Sequence, residues 1–497
     1  MKRNTIAGIL FGFLGLFFFT PLEAQNIVWP QFRGINCSGI ADNNQDPPVS
    51  FSNDHNMIWN INLSEGQSSP CIWQDNIFIT GFEGEEKLLK MYCIDRIGGA
   101  IRWQKEISVK EFEKVHAVSS PANATPATDG ERVVFYFSSY GLLCYDFEGE
   151  IQWELAMPVP KSQHGMGTSP IISADLVILN CFGHENDPCL LAIDKYDGKI
   201  MWKHSATVQE NTNPDSYSTP VLYEDQVIIY RSEDLSAYDL ISGDQVWRYT
   251  TGESDAICTP VIRDNILYLT VFSTLGNPLM LEQFPDFKEL ATEYDKNQDN
   301  LITKEEIAGF EFLIYPEKEE LPANRVAITE YFGFWDQDMN AFIDSLEWIS
   351  TMQLCESFYD RQGIKAIKLG GAGDISLDNF LWGYSDHVPH ITSPLYFDKR
   401  VYMVKSGGVL TCFYAESGEL LYQEKLGAAG AYFASPVAVN NKIYLASRNG
   451  IVFVIEAGDK LNILSRNNLD DKIAATPAIV DSKIYLRTTN SLYAFGY

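Results

Sequence analysis

Basic side chains are scarce in this chain: 37 lysines and arginines stand against 66 aspartates and glutamates, a formal charge of −29 at pH 7. A phosphate binder needs a cationic footprint, so nucleic acid is excluded as a partner. Long apolar runs are missing beyond the first two dozen residues, which leaves no membrane span once that segment is removed. Residues 1–24 carry a Lys2/Arg3 basic end, an apolar run from Ile6 to Phe19, and Leu22-Glu23-Ala24 before Gln25. That order predicts a secretory signal peptide, with a retained anchor as the alternative, and hence a periplasmic or secreted protein. Nine cysteines in an exported chain raise the question of disulfides. Cys93, Cys144 and Cys412 occupy a position filled in other repeats by Ala192, Ala237, Ala366 and Ala494, and read as buried small side chains. Cys181 and Cys189 flank the polar loop GHENDP and are left open between a cross-hairpin disulfide and two thiols.

What is present is repetition. The stretch AIDKYDGKIMW sets Ala192, Asp194, Gly198 and Trp202 at a spacing that recurs at Cys93-Asp95-Gly99-Trp103 and Ala237-Asp239-Gly243-Trp247. A shorter form occurs at Cys144-Asp146-Gly149-Trp153, and a form with tyrosine last at Cys412-Tyr414-Gly418-Tyr422. Each reads as a hairpin whose aromatic packs on the neighbouring unit. Upstream of each lies a Ser or Thr followed by Pro, opening an apolar strand, a polar turn and a second strand; the prolines are Pro70, Pro126, Pro170, Pro220, Pro260, Pro394, Pro436 and Pro477. Proline suits a first strand residue, where the lost N–H costs little. Eight units of four short antiparallel strands, A to D, predict an all-β, eight-bladed β-propeller. The last unit stops after its third strand, and Trp59 in NMIWNINL matches the aromatic that ends the others, so the N-terminal strand is expected to complete the eighth blade and close the ring.

One repeat is interrupted. Ala366, the small residue of the fifth blade's third strand, comes 106 residues after Pro260. The added residues, 276–362, carry 19 acids against 6 bases and apolar positions three and four apart in PDFKELATEY, ITKEEIAGFEFLI, RVAITEYFGFW and SLEWISTMQLCESFYDRQ. These predict four helices in a small domain mounted in the B–C loop, between propeller segments 28–275 and 363–497. Two acidic loops of twelve lie between the helices. The first sets Asp295, Asn297, Asp299, Leu301, Thr303 and Glu306 at positions 1, 3, 5, 7, 9 and 12; the second sets Asp336, Asp338, Asn340, Phe342, Asp344 and Glu347 at the same positions. Hard oxygen donors at alternating positions, a main-chain carbonyl at 7 and a terminal carboxylate point to calcium. Ile302 and Ile343, both at position 8, would pair in a short β contact, and the two loops together resemble a pair of EF-hands. Position 6 holds Asn300 and Ala341 in place of glycine, which ranks the first loop above the second because alanine resists the left-handed turn.

The blade repeats resemble the pyrroloquinoline-quinone-binding-like (quinoprotein-type) propellers, a family that includes alcohol dehydrogenases and a lipoprotein of outer-membrane assembly. Catalytic members imply two adjacent cysteines over the quinone and often a C-x-x-C-H haem module. This chain has neither, so PQQ is not expected as a cofactor. The resemblance implies instead an exported calcium-binding propeller acting as a non-catalytic binding or scaffold protein of the cell envelope, with a quinoprotein dehydrogenase or glycan-active enzyme as the alternative. A ligand site, if the propeller has one, belongs on the face shared by the loops entering each Ser/Thr-Pro and the B–C loops. His164, Tyr217, His387, His390, Tyr432 and Phe433 lie in the entering loops, and Arg231, Lys405, Arg448 and Arg487 end the B strands. Imidazoles, aromatics and cations on an acidic protein suit a protein, a peptide, a glycan or an acidic small molecule.

Overall fold

A computed structural model describes residues 27–116, 118–160, 164–182, 188–205, 216–313 and 325–497. The expected signal peptide lies outside them. Eight antiparallel sheets of four strands follow one another around a central channel, each with strand A innermost. The third is typical: Ile171–Ser173, Leu176–Asn180, Cys189–Asp194 and Ile200–Ser205 pair in sequence. Its middle strands are buried throughout because both faces meet another blade, while strand D alternates exposed and half-buried residues at the rim.

Ring closure follows the sequence reading. Met57–Asn62 pairs antiparallel with Ser491–Phe495, placing Trp59 opposite Ala494. Arg96, almost fully buried, spans the seam with contacts to Asp75 at 3.2 Å and Asp481 at 3.1 Å. Two additions escape the repeat. Val28–Trp29 pairs with Cys71–Trp73 on the channel side of the first blade, and Gly373–Asp374 runs parallel to Gln245–Thr250 outside the fourth.

The apolar core lies between blades. One cluster joins residues of the second and third blades, such as Val134, Leu142, Val177 and Leu191, and the same pattern recurs around the ring. The recurring tryptophan locks five of the junctions. Trp153 donates its Nε1–H to the Lys195 carbonyl of the next blade at 2.7 Å and lies flat over Gly198, where an added Cβ would meet the ring at 2.9 Å. Trp59, Trp103, Trp202 and Trp382 do the same to Arg96, Phe147, Leu240 and Ala415.

The Ser/Thr before each proline has a role that composition did not reveal. Its hydroxyl accepts the backbone N–H of the preceding blade's equivalent residue: Ser69 to Thr125, then Ser169, Thr219, Thr259, Ser393, Ser435, Thr476 and back to Ser69, at 2.9–3.2 Å. The result is a closed belt of eight hydrogen bonds around the channel. Proline removes the next N–H, and the buried N–H before it finds the one acceptor a side chain at that position supplies.

The insertion has its own core, Met280, Phe284, Leu290, Ile307, Phe312, Ile328, Trp335 and Trp348 among others. Helices form at Phe287–Tyr294, Phe332–Trp335 and Ser345–Arg361, the last opened by an Asp344–Glu347 capping box. The second expected helix and the first half of the third are corrected: Arg325–Ala327 is a strand and Ile328–Tyr331 a 3-10 turn. Glu306–Gly309 makes a single 3-10 turn, and Glu311–Leu313 is a strand paired with Arg325–Ala327. Buried Phe310 and Phe312 flank exposed Glu311, a period of two that overrides the helical spacing. No disulfide joins Cys181 and Cys189; all nine cysteines are buried thiols.

Candidate functional site

The loops that enter the belt converge on one end of the channel. His164 precedes Ser169 by five residues, Tyr217 precedes Thr219 by two and His390 precedes Ser393 by three, so all three side chains arise just outside the same ring. Two residues the sequence reading did not single out join them. The His116 ring, from the loop entering the second blade, lies 5.3 Å from that of His164, which in turn lies 6.1 Å from Tyr217. Asp255, from the loop entering the fifth blade, sets Oδ2 at 3.2 Å from His390 Nε2. Like His164, Tyr217 and His390, both stand in loops that enter a Ser/Thr-Pro.

The acid is firmly placed. Its Oδ2 also accepts from the Thr274 backbone N–H at 3.1 Å and hydroxyl at 2.5 Å, its own N–H donates to the Phe272 carbonyl at 2.7 Å, and the Phe272 ring lies 4.5 Å from that of His390. Burial pushes the Asp255 carboxyl up, but the bonds from His390 and Thr274 outweigh it and leave the pKa below the ordinary value. Burial, reinforced by the charges of His116 and His390, lowers the pKa of His164, so this imidazole is neutral at pH 7. Glu113, in the same loop as His116, is buried with Oε2 lacking a protein partner; burial raises its carboxyl to about 7, with Ser138 only partly opposing.

The other expected face residues are dispersed. Arg231 grips Asp234 through two bonds of 2.9 and 2.6 Å and lies 5.2 Å over the Phe182 ring. Arg448 lies 4.9 Å over Phe433, His387 contacts Asp386 at 2.7 Å, and Lys405 is half-buried at its strand end. Tyr432 is buried with its hydroxyl on the Ala428 carbonyl, and Arg487 is buried with Nη2 on the Ser64 carbonyl, its pKa lowered by burial to about 10. Neither of these two is available to a ligand in this packing.

In the insertion, Ile302 pairs with Ile343 and Thr303 with Phe342, holding the two acidic loops side by side. Asn300 and Ala341 both take left-handed φ, 62° and 72°. The carboxylate oxygens of Asp336, Asp338 and Glu347 lie within 4.8 Å of one another, the single such grouping among the described residues. The two loops make matching bonds: Asp295 accepts the N–H groups of Gln298 and Asn300 as Asp336 accepts those of Asn340 and Ala341, Asn297 and Asn340 donate to Asp299 and Asp338, and Glu306 and Glu347 accept from Thr303 and Asp344. Asp344, expected as a ninth-position donor, caps Leu346 and Glu347 instead.

The comparisons with known proteins bear on the fold. The profile described as outer membrane protein assembly factor BamB matches residues 93–275. No curated protein matches the sequence. Among solved structures, a europium-containing methanol dehydrogenase is 11% identical with a TM-score of 0.57 over 95% of this chain and 98% of its own. The quinohemoprotein alcohol dehydrogenase from Comamonas testosteroni is 9% identical with a TM-score of 0.56, covering 94% and 80%. BamB from Moraxella catarrhalis is 13% identical with a TM-score of 0.51, covering 89% and 99%. These likenesses correct the expectation on cofactors. A chain that superposes along nearly its whole length on quinoprotein dehydrogenases gives no ground for setting PQQ aside for want of adjacent cysteines, and the same comparisons lend no support to calcium. The channel mouth gathers the Tyr217 ring and three imidazoles near the Asp255 carboxylate, while Phe272 is buried against His390. Among the described residues no helix is long and apolar enough to cross a membrane. The fold is that of a PQQ-like, quinoprotein-type β-propeller of eight blades carrying a small helical insertion.

Proposed function

We propose that this chain is an exported quinoprotein-type enzyme that binds a planar anionic quinone at the channel mouth and oxidises an alcohol there. The observation that carries the reading is the Asp255–His390 pair, an imidazole oriented by a fixed carboxylate among further imidazoles and aromatic faces. When bound, a quinone supplies the two-electron acceptor. The protein's part is to position and to move a proton. Asp255, immobilised by Thr274, orients His390, so that this ring accepts the hydroxyl proton of the substrate. Neutral His164 offers an N–H or a lone pair to the cofactor or substrate, and Tyr217 supplies a flat wall. The experiment is dye-linked oxidation of primary alcohols by purified protein supplied with PQQ and a divalent cation, beside His390→Asn and Asp255→Asn. Turnover that falls by about 10²-fold or more in both variants is expected for a general base and its orienting acid; turnover indifferent to either substitution, or none in the wild type, rejects the reading.

A second reading rests on a separate observation, the gathered carboxylates of Asp336, Asp338 and Glu347. On it, residues 28–275 and 363–497 form a binding propeller of envelope assembly, and residues 276–362 form an EF-hand-like unit stiffened by a hard divalent cation with six to eight oxygen ligands. Calorimetric titration of chelator-treated protein with calcium and with magnesium, repeated on Glu347→Gln and Glu306→Gln, separates the loops. Binding lost with Glu347→Gln and kept with Glu306→Gln is expected from the geometry. Heat-silent titrations reject this reading without touching the first.

A further inference from the structure

The channel is crossed by a strap at the end away from the mouth. Trp29 pairs with Ile72 of the first blade, and the Pro30 carbonyl accepts the Thr128 N–H of the second at 2.8 Å. The Asn36 amide then exchanges two bonds of 2.8 Å with the Leu222 backbone of the fourth blade, and Gly39 and Ala41 bond to the Ala438 backbone of the seventh. These partners lie in strand A beyond its opening proline, whereas the mouth loops lead into that strand.

The strap carries an arginine into the channel. Arg33 is wholly buried, and its Nη2 donates to the Pro394 carbonyl of the sixth blade at 2.8 Å. Gly39 makes the space for it, since a Cβ there would stand 2.8 Å from Nη2. Nε and Nη1 have no protein partner, and among the described residues no carboxylate pairs with this guanidinium. Burial lowers its pKa to about 10, which leaves it charged at pH 7. The ionisable groups whose charge would act on it are Cys37 and Cys258, and burial raises both thiols to about 12, so neither supplies a negative charge.

The belt beside it adds donors of its own. Each of its eight hydroxyls accepts one N–H, none donates to another group among the described residues, and all belong to residues at most 3% exposed. Thr259 and Ser393 adjoin Cys258 and Pro394, the neighbours of the guanidinium. What is left unpaired here is N–H and O–H around a full positive charge. Water satisfies donors but not a net charge, and a buried charge is costly without a counter-charge. The guanidinium has no exposed surface in this packing, which favours a monatomic guest over a phosphate or sulfate.

We propose that the channel floor binds a halide-sized inorganic anion, held by Arg33 Nε and Nη1 and by the hydroxyl protons of Thr259 and Ser393. This site does not rest on the enzymatic reading. The probe is bromide, used on the full chain without quinone. Crystals grown in sodium bromide are expected to show an anomalous peak against Arg33 Nε and Nη1. In solution, bromide or chloride is expected to raise the thermal midpoint saturably over gluconate at equal ionic strength, by about 2–3 °C at a hundred times the dissociation constant. Arg33→Met keeps the length of the side chain without its charge and is expected to abolish that difference; should this variant not fold, the wild-type bromide map decides alone. Anomalous peaks confined to the protein surface, water against Arg33 in place of bromide, or a halide response equal in wild type and variant overturns the proposal.

Discussion

Replacing Thr219 by valine removes one link of the belt at constant volume. The Ser169 N–H then loses its acceptor, 3.2 Å away in the wild type, at a place where both residues are 2% exposed and water has no access. An unsatisfied buried donor costs about 1–3 kcal/mol. Both residues being buried, about 2 kcal/mol, the middle of that range, is expected. Thr219→Ser keeps the oxygen and should remain within about 0.5 kcal/mol of the wild type, as substitutions away from such features do. The assay is urea unfolding followed by tryptophan fluorescence, comparing midpoints at unchanged slope. A valine variant as stable as the serine variant would refute the belt as a source of stability and return the Ser/Thr to a mere turn preference.

Three further outcomes follow from the same structure. Gly198→Ala forces a Cβ to 2.9 Å from the Trp153 ring at φ 74°, whereas Gly427→Ala meets nothing within 4 Å at φ 86°, so the first should cost about 1–3 kcal/mol more than the second in the same urea assay. Trp59→Ala should destabilise the whole ring by about 3–5 kcal/mol, seen as one cooperative loss by calorimetry, because it opens the closing blade. Glu113 titrates near 7 when folded and near 4.3 when unfolded, so the folded state holds the extra proton between those values and stability falls as pH rises through them. Glu113→Gln should thus gain roughly 3 kcal/mol over wild type at pH 8 and nothing at pH 4, read from urea midpoints at the two pH values.

Blade count and closure were legible because Ser/Thr-Pro and Trp59 mark topology through local constraints: a proline tolerated only at a strand start, an aromatic needing a neighbour. The reason for the hydroxyl was not legible, since the belt is a relation between residues 40 to 134 positions apart, closed by the link from Thr476 back to Ser69. Strand Val28–Trp29 escaped for want of length, and Glu311–Leu313 because a two-residue alternation hid inside a helical spacing. Half of the mouth was within reach: His164, Tyr217 and His390 were chosen by loop position, and His116 and Asp255 satisfied the same rule. Tyr432 also satisfied it, and Arg487 was chosen as the end of a B strand, yet both turn into the fold, because position along the chain fixes where a side chain starts but not which way it packs.

The central claim is that the channel mouth is a binding site for a quinone. Isothermal titration of purified wild-type protein with PQQ, beside Asp255→Asn, measures this without requiring turnover. The account predicts one site per chain in the wild type, weakened at least tenfold when the carboxylate that orients His390 is neutralised. A wild type that takes up no PQQ, or an Asp255→Asn variant that binds it as tightly, would contradict it.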